Sequence, residues 1–250
     1  MNHIYIVLPA YNEEKSISQL LDSIEKDLFD LKGLLTVIIV NDGSKDKTAK
    51  IIDSRKSSLN IFHVKHETNK GLGNAIKTGF KTLFDLSKSD DDIAIFMDAD
   101  NTHLPIFCIN MINKMNEGWD IVIASRYCNG SEQYGVPLFR RFLSFGARIL
   151  FSMTLNINGV RDYTCGFRAY KLGLLRKAHE KFEDNIITRN GFACTDEILF
   201  NLSTITDKIT EVPFTLRYDN KKGVSKIKLF LTISETIKML QNHRNKNNSK

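Results

Sequence analysis

The 250 residues are 42% hydrophobic and 26% charged, a balance that excludes a disordered or fibrous chain and suffices for one sizeable α/β domain with a buried core. No run approaches the roughly 18 uninterrupted apolar residues of a spanning helix, so the chain is not expected to cross a bilayer. The net charge of +6 is uneven: residues 214–250 hold nine Lys and Arg against two Asp and Glu, a balance of +7, and the remainder sums to −1. Such a basic C-terminal region suits an anionic partner, either a membrane surface or a phosphate-bearing substrate. No nucleic-acid partner is expected. The final ten residues also fit a solvated, low-complexity tail.

From the N-terminus, Met1 leads directly into an apolar run at 4–8 that reads as a first strand rather than a targeting segment. Further apolar runs bounded by turn residues fall at 34–40, 61–64, 93–97 and 120–124, and helix-like segments at 13–30, 47–56, 74–86 and 105–117 lie between them. This alternation predicts a largely parallel sheet wrapped by helices. Ligands of such sheets bind beyond the carboxyl ends of the strands, so the loops there are the place to look. Cys108, Cys128, Cys165 and Cys194 form no CxxC pair, which argues against a zinc or redox motif and for reduced thiols in the core or site wall of a cytosolic protein.

The first loop reads Pro9-Ala10-Tyr11-Asn12-Glu13-Glu14 and the second Asn41-Asp42-Gly43-Ser44-Lys45-Asp46. Both are rich in residues that start helices: Asn12 is placed to cap, with Glu13 and Glu14 in the first turn, and Ser44 or Asp46 to cap the next helix. The third loop, Asn69 to Ala75, has glycines that let backbone approach a ligand, yet lacks the Lys-Ser/Thr of a P-loop and the third glycine of a dinucleotide fingerprint. The fourth strand runs into Met97-Asp98-Ala99-Asp100-Asn101. Carboxylates at i and i+2 of an extended segment face the same way and repel unless a cation lies between them. Asp98 and Asp100 are therefore candidate ligands of Mg²⁺ or Mn²⁺, which would grip the two phosphates of a nucleotide diphosphate.

With VLPAYNEE, VNDGSKDKT, NKGLGNA and MDADNTHLP in this order, the chain resembles the family 2 glycosyltransferases. The resemblance implies the GT-A fold, a Rossmann-like mixed and largely parallel sheet flanked by helices. Ser125-Arg126-Tyr127, the segment Asp162 to Tyr170 and Gly223-Val224-Ser225-Lys226 are similar to the branch of dolichol-phosphate mannose synthase and other polyprenyl-phosphate glycosyltransferases. The likeness spans roughly 4–226. It implies one GT-A domain over 1–226, with a nucleotide-binding half at 1–124 and an acceptor half at 125–226, before an amphipathic helix and basic tail at 227–250.

The resemblance further implies that Pro9, Ala10, Tyr11, Glu13, Asp42 and Lys70, with Asp98, line the nucleotide pocket, Asp42 accepting from base or ribose. It assigns the metal to Asp98 and Asp100, and the acceptor phosphate to Arg126, Arg140, Arg217 and Lys226, whose cationic groups suit phosphate oxygens. Each of the three arginines also has a plain reading as a surface ion pair. Two departures stand out. Asn220 lies three residues before Gly223 where the mannose synthases carry Arg, so 216–222 is expected as a longer loop in which Lys221 or Lys222 supplies the charge. Thr102 stands where they usually carry Gln near the metal, so GDP-mannose is not implied as donor.

These residues lead to an expected reaction, inverting in-line displacement at the anomeric carbon of a UDP- or GDP-linked sugar, with a non-catalytic nucleotide-sugar-binding protein as the remote alternative. A polyprenyl or dolichyl phosphate acceptor needs cations to hold it and no base. A glycan or other soluble hydroxyl acceptor needs a carboxylate, for which Glu197 matches better than Asp196, although helix capping competes for both. Two amphipathic segments then predict a peripheral position on the cytoplasmic face of a membrane. One spans 138–153, with Leu138, Phe142, Phe145, Ile149 and Met153 opposite Arg140, Arg141, Ser144 and Arg148; the other has Ile227, Phe230, Ile233, Ile237 and Leu240 beside Lys226, Lys228 and Lys238. Both stripes are also compatible with packing on the sheet.

Overall fold

The computed structural model describes residues 2–155 and 157–222; the segment Gly223 to Lys226, Lys226 as a phosphate ligand, and the second amphipathic stripe lie outside them. The predicted α/β alternation is present. Strands β1 (Ile4–Ala10), β2 (Leu35–Asn41), β3 (Asn60–Lys65), β4 (Ile93–Phe96) and β5 (Ile121–Ser125) alternate with helices α1 (Ile17–Asp27), α2 (Thr48–Asp53), α3 (Leu72–Leu86) and α4 (Phe107–Asn116). β1, β2, β4 and β5 are buried along nearly their whole length, which is why they read as continuous apolar runs rather than alternating ones.

The second half adds β6 (Glu132–Tyr134), α5 (Leu138–Thr154), β7 (Arg168–Lys171), α6 (Leu172–Phe182), α7 (Ala193–Ser203), β8 (Ile209–Pro213) and β9 (Thr215–Arg217). Among the described residues seven strands form one sheet in the order β3-β2-β1-β4-β7-β5-β8, and β6 pairs with β9 in a small second sheet. β7 is antiparallel to both β4 and β5, while the remaining pairs of the large sheet are parallel. The two halves thus share a sheet: Phe96 of β4 and Ile123 of β5 both lie opposite Arg168 of β7.

A core of Ile, Val, Leu and aromatic side chains fills both faces of the sheet, each contributing about 1.5–3 kcal/mol by leaving water. The four cysteines are unpaired, and all but Cys128 are buried, as expected of core thiols. No helix among the described residues is long and apolar enough to cross a membrane.

Candidate active site at the carboxyl ends of the strands

The first two loops are braced against each other. The backbone N–H of Asn12 donates to Ser44 Oγ at 2.9 Å, that of Lys45 to Asn12 Oδ1 at 2.8 Å, that of Glu13 to Thr48 Oγ1 at 2.8 Å and that of Lys47 to Glu14 at 3.0 Å. Asn12 therefore spends its side chain on the second loop instead of capping α1, whose N-cap is Ser16, with no side-chain bond of its own. Asp46 does accept from the Thr48 N–H, at 2.9 Å, at the start of α2. Asn12 adopts φ +51°, a left-handed conformation that Asn tolerates better than most residues.

Asp42 ties the second loop to the third. Its carboxylate bonds His66 Nδ1 at 2.7 Å and accepts from the N–H groups of Lys70 and Gly71, both at 2.9 Å. A carboxylate accepts about four hydrogen bonds, so one further donor fits. The third loop then packs on the 188–190 turn: a Cβ on Gly73 would sit 1.9 Å from the Arg189 carbonyl oxygen, an approach that only glycine allows. Pro9 and Ala10 close β1 beside Val40 and Asn41, and Tyr11, Glu13 and Lys70 follow on the braced loops.

The carboxylate pair sits on the turn after β4. The Asp98 N–H donates to Nδ1 of buried His103 at 3.2 Å, and the His103 ring stacks on Phe167, just before β7, at 4.9 Å. Asp100 is buried and accepts at Oδ1 from the Thr102 N–H at 3.1 Å and hydroxyl at 2.7 Å. Its Oδ2 meets the Lys221 ammonium at 2.5 Å. Burial pushes the Asp100 carboxyl up, but Lys221 and Thr102 outweigh it and hold the group below its ordinary value. Asn101, at φ +65°, turns the chain there.

Arg126 lies just past β5. Its guanidinium forks onto Asp162, Nε to Oδ2 at 2.8 Å and Nη2 to Oδ1 at 2.6 Å, and reaches Thr164 Oγ1 at 2.7 Å and Ser144 Oγ at 3.4 Å. Asp162 is fully buried; burial raises its carboxyl, and Arg126 more than reverses this. On α5 the residues Arg140, Ser144 and Arg148 recur every four positions and so share a face. Arg148 lies over the Tyr127 ring at 4.7 Å, as does Arg126 at 5.7 Å, and Arg140 lies over Tyr218 at 5.3 Å. Lys221 stands over that same Tyr218 ring at 5.8 Å. A continuous line therefore runs from Asp100 through Lys221 and Tyr218 to Arg140.

Two further candidates sit elsewhere. Arg217 is half-exposed, bonded to Asp219 at 2.7 Å and stacked over Tyr134. Glu197 accepts from the Thr188 N–H at 2.8 Å and the Arg189 N–H at 3.2 Å, and from the Thr188 hydroxyl; both carboxylate oxygens shape the 188–190 turn that meets Gly73. Its neighbour Asp196 is buried in α7, and burial raises its carboxyl to about 7 against the pull of Arg168.

Sequence reasoning missed His103, His66, the Asp162 partner of Arg126, the Arg189 contact and Arg148 as a site cation. The four-residue spacing of Arg140, Ser144 and Arg148 was the readable signal for the last; His103 and Asp162 lie in segments that carry the resemblance, but nothing local marks their contacts or those of His66 and Arg189.

The glycosyl transferase family 2 model matches residues 5–181. The chain belongs to that family. Among its relatives, the dolichol-phosphate mannosyltransferase of Pyrococcus furiosus is 30% identical over 90% of this chain and 59% of its own length. The UDP-N-acetylglucosamine–dolichyl-phosphate N-acetylglucosaminyltransferase of Methanococcus voltae is 33% identical over 71% of this chain and 73% of that protein. In fold the chain is similar to glucosyl-3-phosphoglycerate synthase of Mycobacterium tuberculosis, solved with Mn²⁺, UDP and phosphoglyceric acid, with a TM-score of 0.68 at 21% identity over 94% of this chain and 76% of that one. The GT-A architecture and the resemblance to the polyprenyl-phosphate branch thus hold.

Among the described residues no three His, Cys, Asp or Glu side chains converge as a metal cluster. Asp98 and Asp100 nevertheless fit a hard divalent cation, because they are oxygen donors and already draw a positive charge in Lys221; nucleotide phosphates and water would complete the shell.

Proposed function

We propose that this family 2 glycosyltransferase moves a sugar from a UDP- or GDP-linked donor to a polyprenyl phosphate at a membrane surface. The observation that carries this reading is the orientation of α5. Arg140, Ser144 and Arg148 turn toward the site, whereas Leu138, Phe139, Phe142, Phe145, Ile149, Leu150 and Met153 face outward, Phe142 with 75% and Met153 with 81% of their surface exposed. A helix of a soluble protein normally buries its apolar stripe. One that keeps cations over the site and apolar side chains outside suits a lipid surface delivering a phosphate.

A divalent cation at Asp98 and Asp100 would supply charge to stabilise the leaving diphosphate. Asp42 and the braced loops hold the nucleoside end. Arg140 and Arg148 have no carboxylate partner among the described ion pairs, so they are disposed to neutralise an acceptor phosphate, while Arg126, fixed by Asp162, orients its remaining N–H groups with Ser144. An anionic phosphate oxygen needs no base. This agrees with Glu197 being committed to the 188–190 turn and Asp196 being buried away from water.

The test is a panel of UDP- and GDP-sugars with Mn²⁺ and polyprenyl phosphate in vesicles. Label should move to the lipid phosphate from at least one donor. Transfer only to soluble glycan or small-molecule hydroxyls would overturn the acceptor assignment and favour a hydroxyl acceptor.

A further inference from the structure

We propose that Lys221 is a tethered counter-cation of the Asp98/Asp100 pair, which holds the site while no divalent cation is bound and has to leave Asp100 for one to bind. The proposal rests on the reading that these two aspartates take a divalent cation. It starts from a contact that family resemblance did not assign: the Lys221 ammonium lies 2.5 Å from Asp100 Oδ2, with 16% and 10% of the two side chains exposed, and the charge of Asp98 acts on the same ammonium. Asp100 Oδ1 is already filled by Thr102. Oδ2 is therefore the lone-pair site that a metal would need, and an ammonium at hydrogen-bond distance competes for it directly.

The contact is built rather than incidental, because the segment carrying Lys221 is laid across the carboxylate turn at several points. Leu216 bridges His103, the Arg217 N–H donates to the Thr102 carbonyl at 2.9 Å, Asn220 Nδ2 reaches the Asn101 carbonyl at 3.4 Å, and Lys222 reaches Gln19 at 3.0 Å. With the backbone held at Arg217 and the flanking Asn220 and Lys222 side chains engaged, the mobile part is the four-carbon Lys stem, whose ammonium reorients easily. Displaced from Asp100, it stays near the Tyr218 ring that it shares with Arg140, where a phosphate of donor or acceptor becomes its partner. Metal and nucleotide should accordingly bind cooperatively, since the nucleotide gives the displaced ammonium a new counter-ion.

The experiment is Mn²⁺ titration of the full-length protein, followed by electron paramagnetic resonance, first alone and then with UDP or GDP. Lys221→Met should bind Mn²⁺ about tenfold more tightly than wild type without nucleotide and gain less on adding it; Lys221→Arg should stay near wild type. Lys221→Gln, which keeps a polar hydrogen-bond donor but carries no charge, should also tighten binding, separating charge competition from loss of side-chain polarity. Equal or weaker Mn²⁺ binding by both neutral variants, with circular dichroism unchanged, would overturn the proposal. Failure of every form to bind Mn²⁺, with or without nucleotide, would overturn the metal reading itself, and Asp100→Asn marks that baseline.

Discussion

The loops proposed to hold the nucleotide and the residues proposed to hold the acceptor are built on opposite plans. On the nucleotide side polar side chains bond backbone N–H groups of a neighbouring loop: Ser44 that of Asn12, Asn12 that of Lys45, Glu14 that of Lys47, and Asp42 those of Lys70 and Gly71, with His66 on the same carboxylate. On the acceptor side a single buried pair, Arg126 and Asp162, anchors a set of cations that otherwise lean on aromatic rings, beneath a helix whose apolar stripe faces outward. Braced loops on one side and an open, charge-rich face on the other suit the proposed reaction, in which one substrate is small and soluble and the other is presented from a surface.

The strongest way to break this division is at its boundary, where Asp100→Asn removes one charge and keeps the Thr102 bonds. Transfer should fall by roughly 10²–10³-fold, in line with loss of one transition-state electrostatic partner, while the circular dichroism spectrum stays native. A radiolabel transfer assay checks it, and an activity near wild type would remove the cation from the mechanism.

Arg126→Ala should cost about 3–5 kcal/mol of stability, because it strands the fully buried Asp162. Thermal melts at neutral pH measure this. The Asp162 carboxyl is depressed in the folded protein, so its contribution is complete above the ordinary carboxylate value of about 4 and is lost as pH falls through the lower folded value. Wild-type melting temperature should therefore drop steeply below about pH 4, and the drop should be shallower in the variant.

A smaller and more selective effect is expected from Arg140→Ala and Arg148→Ala. Each should raise KM for polyprenyl phosphate about tenfold, equivalent to about 1.4 kcal/mol, and leave UDP or GDP affinity unchanged. Lys should rescue poorly at either site if the contact is forked. Equal losses in nucleotide binding would erase the distinction between the two sides.

The mildest change is Phe142→Ser with Phe145→Ser on the outer face of α5. The double variant should keep its melting temperature and its turnover on detergent-dispersed acceptor, yet sediment less with anionic vesicles. Unaltered sedimentation of a protein that binds vesicles would place the membrane contact elsewhere.

The same contrast explains what was legible in the sequence. Each nucleotide-side loop falls between an apolar run and a helix, so short-range pattern exposes both the strand and the residues at its end. α7 could not be read this way: Ala193, Cys194, Asp196, Glu197, Ile198 and Leu199 are all buried, and a helix enclosed on every side loses its amphipathic period. β7 was hidden because its first residue is a fully buried arginine whose guanidinium donates to the carbonyls of Tyr163 and Thr195, a solution that only tertiary structure supplies. Asn12 misled for the opposite reason. It has ordinary capping chemistry, but the second loop, distant in sequence, offered its side chain a better partner.

The antiparallel strand β7 also acts as a ruler. It separates β4, which runs into the carboxylate turn, from β5, which is followed by Arg126, so the two strands lie two strand spacings apart, about 10 Å. Loop substitutions can change what each end grips, but the gap between them is fixed by hydrogen-bonded backbone that no side-chain change adjusts. Substitution within this architecture can therefore change what either end binds far more readily than it can change the distance between them.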